Sequence, residues 1–122
     1  MIDDLKYIEC NGTKYPIAFT FNVWADIQKK YGMIDTWSEL IQRDGQEPDI
    51  EALRYGLYLA INEGIDIENE KTGSDRPYLT EKQVGRLLID IATVLKQMQQ
   101  VIIDQAGADE GKNMTTGQSQ KA

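Results

Sequence analysis

The 122-residue chain is long enough for one domain with a hydrophobic core. It carries 20 acidic and 13 basic side chains, a net charge of −7, which disfavours nucleic acids and anionic membranes because both attract basic surfaces. No apolar run approaches the roughly 18 residues that mark a membrane-spanning helix. Cys10 is the single cysteine, so no internal disulfide can form, and we expect an intracellular protein.

The chain contains no histidine, which removes the most common general base and metal ligand, and the usual activator of a nucleophilic serine. Carboxylate chemistry stays formally open through side chains such as Asp66, Glu68 and Asp90. Helical spacing does not bring any two of these together. We therefore expect no enzymatic activity, no cofactor and no metal, and interpret the chain as a protein whose work is binding.

Two strands are predicted at the N-terminus, over residues 4–9 and 13–19, because apolar and polar side chains alternate there. Asn11-Gly12 lies between them and favours a type I′ hairpin turn, which needs positive φ at both central positions. Pro16 cannot donate a ladder hydrogen bond, so we expect it on an edge or facing outward. The apolar face of the hairpin should pack on the helices or join another sheet.

Two helices are predicted after the hairpin. Asn22 can cap the first, which runs to about Tyr31 and ends at Gly32. The capping-box pattern Thr36-x-x-Glu39 predicts the start of the second, shorter helix.

Each of these helices contributes a tryptophan, Trp24 and Trp37 respectively. Tryptophan is enriched in binding hot spots, so both are candidate partner anchors. Their apolar neighbours at helical spacing favour the core instead.

A third helix is predicted from residue 49 to about residue 62, with Gly64 as its stop. One apolar face of this helix should pack against the next helix of the chain. Tyr55, Tyr58 and Leu59 form a second face, which makes them candidate partner-binding residues.

Residues 65–79 are the least regular part of the predicted body. Alternating acidic residues there suggest a strand with an acidic face or a cation loop, but the glycine and glutamate that an EF-hand loop requires are missing. We expect a mobile connection. Residues 106–122 contain one apolar side chain larger than alanine, Met114, and are predicted to be a disordered tail after a single domain of residues 1–105.

A long helix is predicted over residues 80–105, opened by a capping box at Thr80-x-x-Gln83. Its apolar seam has the 3.5-residue period of a coiled coil, and a second stripe widens it. The seam fits either the core of the domain or an interface with another copy or a partner. The stripe that supplies candidate partner-binding residues consists of Leu87, Val94 and Val101.

The sequence therefore predicts an α+β, mostly α domain, in which an N-terminal β-hairpin is followed by about four helices, the last one long. Three stretches carry a resemblance to a known family: IECNGTKYPIAFTFNVWADIQKKYG, EALRYGLYLAINEG and LTEKQVGRLL. With their order of elements, they resemble the tail assembly chaperones of long-tailed bacteriophages and prophages. The resemblance covers roughly residues 5–104.

The resemblance implies a non-enzymatic protein that coats the helical, aggregation-prone tape measure protein. It would act in the cytoplasm of the bacterial host and be missing from the mature virion. A homo-oligomer is one form in which it could coat its client. Such chaperones are often made with a longer frameshifted form that recruits the tail tube protein, and this chain would be the shorter form. The alternative is a small head–tail or tail connector that stays in the virion.

Overall fold

A computed structural model describes the backbone of residues 5–114 and the side chains of residues 5–105. Within this range, an antiparallel hairpin is followed by five helices, so the predicted α+β, mostly α fold class is confirmed, with one helix more than expected. In chain order the elements are β1 (Lys6–Cys10), β2 (Thr13–Ile17), α1 (Phe21–Tyr31), α2 (Ile34–Ile41), α3 (Ile50–Thr72), α4 (Glu81–Leu87) and α5 (Ile91–Met114).

The hairpin turn forms as predicted. Asn11 and Gly12 have φ values of 56° and 82°, the two positive values that a type I′ turn requires. Pro16 is buried rather than facing outward, and it lies opposite Tyr7 in the strand register. Counting from the pair that closes the turn, this is a position without ladder hydrogen bonds, so the missing N–H of proline costs nothing there.

β2 packs against α3, which confirms that the hairpin lies on the helices. The backbone N–H of Ala18, just after β2, donates to the carbonyl of Ala60 at 3.0 Å. Gly64 allows this contact, because a Cβ there would lie 2.5 Å from the backbone nitrogen of Ile17. The prediction that Gly64 ends the helix is therefore wrong. The helix runs to Thr72, and Gly73, in the left-handed conformation, ends it.

The segment between α3 and α4 is an ordered strap, not the predicted mobile connection, strand or cation loop. Its first part, up to Thr72, belongs to α3. The carboxamides of Asn62 and Asn69, about two turns apart on α3, hold the rest of the strap. Asn69 bonds the backbone N–H and C=O of Arg76, and Asn62 bonds the same two groups of Leu79. The strap therefore leads directly into α4, where the predicted capping box at Thr80 is confirmed.

The predicted continuous helix over residues 80–105 is broken at residues 88–90. α4 packs on α3, where Val84 is buried, whereas α5 packs on β1, so the chain changes direction between them. The side chain of Asp90 accepts hydrogen bonds from the backbone and hydroxyl of Thr93 and caps the start of α5. Residues 88–90 contain no glycine or proline, and the apolar pattern continues through them, so the sequence did not indicate the break.

α5 extends to Met114, so residues 106–114 are helical instead of belonging to the predicted disordered tail. The rest of that predicted tail lies outside the described residues. Two glutamines fasten α5 to the N-terminal segment. The Gln97 carboxamide bonds both the N–H and the C=O of Glu9 on β1, and Gln105 accepts a hydrogen bond from the backbone of Phe19.

Two predicted helix caps are wrong. α1 begins after Thr20, and both Thr20 and the supposed cap Asn22 donate to the carboxylate of Glu63 on α3 instead. α2 begins after Met33, so the Thr36 pattern lies inside the helix. For α1, the contacts with Glu63 take the place of the predicted cap, whose local preference is worth about 1 kcal/mol.

Candidate partner-binding surface

The helices α1, α2 and α5 border an apolar groove that is open to solvent. It consists of two adjacent clefts of about 310 Å³ and 400 Å³, which share Trp24 and Ile34 as a common wall. The larger cleft opens between Phe21 and Ile34, and the smaller one between α2 and the part of α5 that carries Ile102 and Ile103. We call this surface the α1–α2–α5 groove.

Trp24 is held rigidly in the groove by an aromatic cluster. Its ring lies 5.2 Å from the ring of Phe19 and 5.8 Å, edge-on, from the ring of Trp37. Trp37 is only 1% exposed, and its indole nitrogen donates to the carbonyl of Ala52 at 2.9 Å. Gly56 leaves room for the Trp37 ring, since a Cβ there would clash with the Cζ2 atom of that ring. The groove wall is therefore anchored in the core of the domain.

Each of the two clefts exposes a large apolar side chain. Phe21, the first residue of α1, is 90% exposed, and Ile103 on α5 is 61% exposed. The hydrogen bond from Phe19 to Gln105, 3.0 Å long, holds this end of α5 close to the start of α1. Single exposed apolar residues are common, but two adjacent apolar clefts with such a residue in each make this surface a candidate for binding.

The groove is nearly neutral in spite of the acidic chain. Among the side chains that line its two clefts, Asp35 is the one that carries a charge, and the other polar ones are neutral amides and a hydroxyl: Gln28, Ser38, Gln42 and Gln99. Apolar surface surrounded by neutral polar groups is the usual composition of a protein–protein contact.

The predicted residues Tyr55, Tyr58 and Leu59 do not line this groove. They are half-buried on another surface, where the Tyr55 ring lies 6.1 Å from Tyr31 and 6.4 Å from Tyr58. The ammonium of Lys30 lies 4.2 Å from the centre of the Tyr55 ring. Partial burial is the main cause that raises the pKa of Tyr55, and the nearby carboxylates of Asp26 and Glu81 raise it further.

Tyr58 and Leu59 border a shallow cleft of about 220 Å³. Its lining is polar and acidic, and it includes Asp26, Glu63 and Asp66. This surface offers less apolar area than the groove, because the tyrosine rings already pack against one another.

The stripe predicted on the long helix is split by the break. Val94 and Val101 are buried and belong to the core of the domain. Leu87 is half-buried and lines a recess of about 220 Å³ with Val94 and Ile89. These three predicted residues therefore do not form one continuous surface.

Sequence reasoning missed Phe21, Ile34 and Ile103. It favoured a core position for Trp24, and the structure shows that residue half-buried and packed against the core. A usable signal was present for two of them. Phe21 and Ile103 are large apolar residues that fall outside the apolar stripes of their own helices. Such a residue has no core position to fill, so it indicates either contact with a partner or surface exposure.

The described part of the chain contains no group of three His, Cys, Asp or Glu side chains that could hold a metal ion, and none of its helices is long and apolar enough to cross a membrane. No protein-family model, curated protein or solved structure matches the chain.

Proposed function

We propose that this chain is a phage tail assembly chaperone that binds helical segments of the tape measure protein and keeps them soluble during tail assembly. It acts by binding alone, in the cytoplasm of the bacterial host. The observation that carries the proposal is the open α1–α2–α5 groove. It adds to the resemblance in the sequence, which supplies the identity of the client.

The groove suits a client of this kind for a physical reason. An amphipathic helix binds by placing apolar side chains, spaced three and four residues apart, into a groove between helices. Burying apolar surface yields about 25 cal/mol per Å², so the exposed side chains of Phe21 and Ile103 can supply binding energy that the folded chain does not use itself. The net charge of −7 keeps a protein with such a surface soluble.

Co-expression with the tape measure protein tests the proposal. We expect the tape measure protein to precipitate alone and to stay soluble, in a complex, with the wild-type chain. The double variant Phe21→Asp, Ile103→Asp should lose this effect while keeping its fold, because both side chains are largely exposed. Ile89→Asp is the matched control, since Ile89 is 69% exposed but lies in the α4–α5 break.

The proposal fails if the tape measure protein precipitates equally with and without the wild-type chain. Mass spectrometry of purified particles separates it from the connector alternative. A chaperone should be missing from mature virions, whereas a connector should be present there in a fixed copy number.

A further inference from the structure

We propose that Gln97 closes the outer edge of β1 and thereby prevents this strand from pairing with the same strand of a second copy. Within the described residues the sheet has two strands, so the outer edge of β1 is the side that does not face β2. An open strand edge of this kind is a template for pairing with another chain. The proposal concerns the chain by itself and does not depend on the chaperone proposal.

The register of the hairpin shows which backbone groups point to this edge. Cys10 and Thr13 flank the two-residue turn, which makes them a hydrogen-bonded pair, so the next pair, Glu9 and Lys14, is not hydrogen-bonded. The N–H and C=O of Glu9 therefore point away from β2, to the place where a third strand would bind them. These are the two groups that bond the carboxamide of Gln97.

The Gln97 carboxamide takes the place of a peptide group in a neighbouring strand. Its Oε1 atom accepts from the Glu9 N–H at 2.8 Å, and its Nε2 atom donates to the Glu9 C=O at 3.0 Å. A carboxamide offers a donor and an acceptor, as a peptide group does, so one side chain satisfies both groups of Glu9. While Gln97 is in place, a second strand cannot make the ladder hydrogen bonds of Glu9.

The outer edge of β2 is closed by other contacts. The Arg76 guanidinium donates to the C=O of Lys14 at 2.9 Å, and the N–H of Ala18 donates to the C=O of Ala60 on α3. Pro16, between these two positions, has no N–H to offer. The β2 edge is thus closed at successive positions, and β1 is the edge that a single substitution can open.

A second copy of the chain is the occupant that an opened β1 edge would take in a purified solution. Two β1 strands can pair antiparallel about a twofold axis, so that each covers the edge of the other in a closed dimer. Tyr7 and Ile8, in the middle of β1, favour strands, and β1 contains no proline that would block the pairing. The net charge of −7 opposes association, so the test is made at high salt, which screens it.

Gln97→Met opens the edge, because methionine is close to glutamine in size and can make neither hydrogen bond. We expect sedimentation at high salt to show an association step that the wild type lacks. In dilute solution, the Glu9 amide should exchange with solvent at least about fivefold faster than in the wild type, as followed by NMR. Gln105→Met is the matched control. It removes a hydrogen bond from α5 to Phe19, which lies beyond β2, so neither change is expected.

Glu9→Pro in the Gln97→Met background shows whether the new association uses the β1 edge. Proline removes the outward N–H of residue 9 and costs the hairpin no ladder hydrogen bond, because residue 9 occupies the same kind of position as Pro16. The double variant should therefore return to the sedimentation behaviour of the wild type. Circular dichroism verifies that each variant keeps its fold.

The proposal is overturned if Gln97→Met sediments as the wild type does, if Gln105→Met associates equally, or if the association persists with Glu9→Pro. A wild-type Glu9 amide that exchanges as fast as in the unfolded chain, or is protected only at high protein concentration, would also overturn it. This last measurement needs no variant. No tape measure protein takes part, so this proposal and the chaperone proposal can fail separately.

Discussion

Gly64→Ala tests the most demanding contact of the fold, the close approach of α3 to the second hairpin strand. A Cβ at Gly64 would lie 2.5 Å from the nitrogen of Ile17 and 2.6 Å from the carbonyl oxygen of Pro16. Ordinary contacts of this kind are 3.4 Å or longer. Both contacting atoms belong to backbone, which cannot rotate away, so α3 and β2 must separate.

The cost follows from three contributions. Overpacking of a tight contact costs about 1–3 kcal/mol. Separating α3 from β2 also weakens the hydrogen bond from Ala18 to Ala60, worth about 1 kcal/mol. Alanine gains about 1 kcal/mol over glycine in helix propensity. We therefore expect Gly64→Ala to lower the free energy of unfolding by about 2 kcal/mol.

Urea unfolding followed by circular dichroism measures this change, and Gly85→Ala is the matched control. Gly85 is also a helical glycine, but a Cβ there would meet only the Cδ of the flexible Arg54 side chain, at 3.3 Å. That substitution should stabilise the protein by about 0.5–1 kcal/mol. If Gly64→Ala is as stable as the wild type, the close-approach reasoning is refuted.

Three further outcomes are expected. Gln97→Ala should lower the free energy of unfolding by about 1 kcal/mol, because it removes both hydrogen bonds to Glu9. The control Gln100→Ala, on the same helix, should change it by less than about 0.5 kcal/mol. Equal effects of the two variants in urea unfolding would contradict this. Hydrogen bonds from Thr93 lower the pKa of the Asp90 carboxyl, so Asp90 stabilises the fold above its unfolded pKa of about 3.9, and this is lost as the pH falls through the folded pKa. Asp90→Ala should thus lower the melting temperature at pH 7, and a difference that persisted undiminished below pH of about 2 would argue against the cap. Burial raises the pKa of the Cys10 thiol, so alkylation by iodoacetamide at pH 8 should be slow and should accelerate in urea; rapid labelling of the native protein would show that the site opens.

The elements that the sequence predicted correctly depend on neighbouring residues alone. Asn11-Gly12 determines the hairpin turn by its own backbone preferences, and Thr80 with Gln83 determines a helix start by reciprocal hydrogen bonds. Gly64 and Gly73 both resemble helix stops. Only Gly73 adopts the left-handed conformation, because the conformation of Gly64 is set by β2, which lies far away in the sequence.

The α4–α5 break was hidden for the same reason. Residues 88–90 continue the apolar seam and contain no helix breaker, so nothing local distinguishes one helix from two. The two helices take different directions because α4 packs on α3 through Val84, whereas α5 is bound to β1 through Gln97. Once the seam was divided, the predicted stripe of Leu87, Val94 and Val101 lost its continuity.

The groove required the same long-range information. Trp24 belongs to an apolar stripe, and nothing in the sequence shows that its half-buried ring also lines two open clefts. Phe21 and Ile103 were visible only as apolar residues outside their stripes. The structure places them in the two adjacent clefts of one groove.

Site-specific photo-crosslinking tests the central claim most directly. A benzoyl-phenylalanine would replace Phe21 in one variant and Ile89 in another, and each variant would be co-expressed with the tape measure protein and irradiated. Both positions are largely exposed, so neither substitution should disturb the fold. We expect a crosslink to helical segments of the tape measure protein from position 21 and none from position 89. A crosslink from position 89 alone, or from neither position, would contradict binding through the α1–α2–α5 groove.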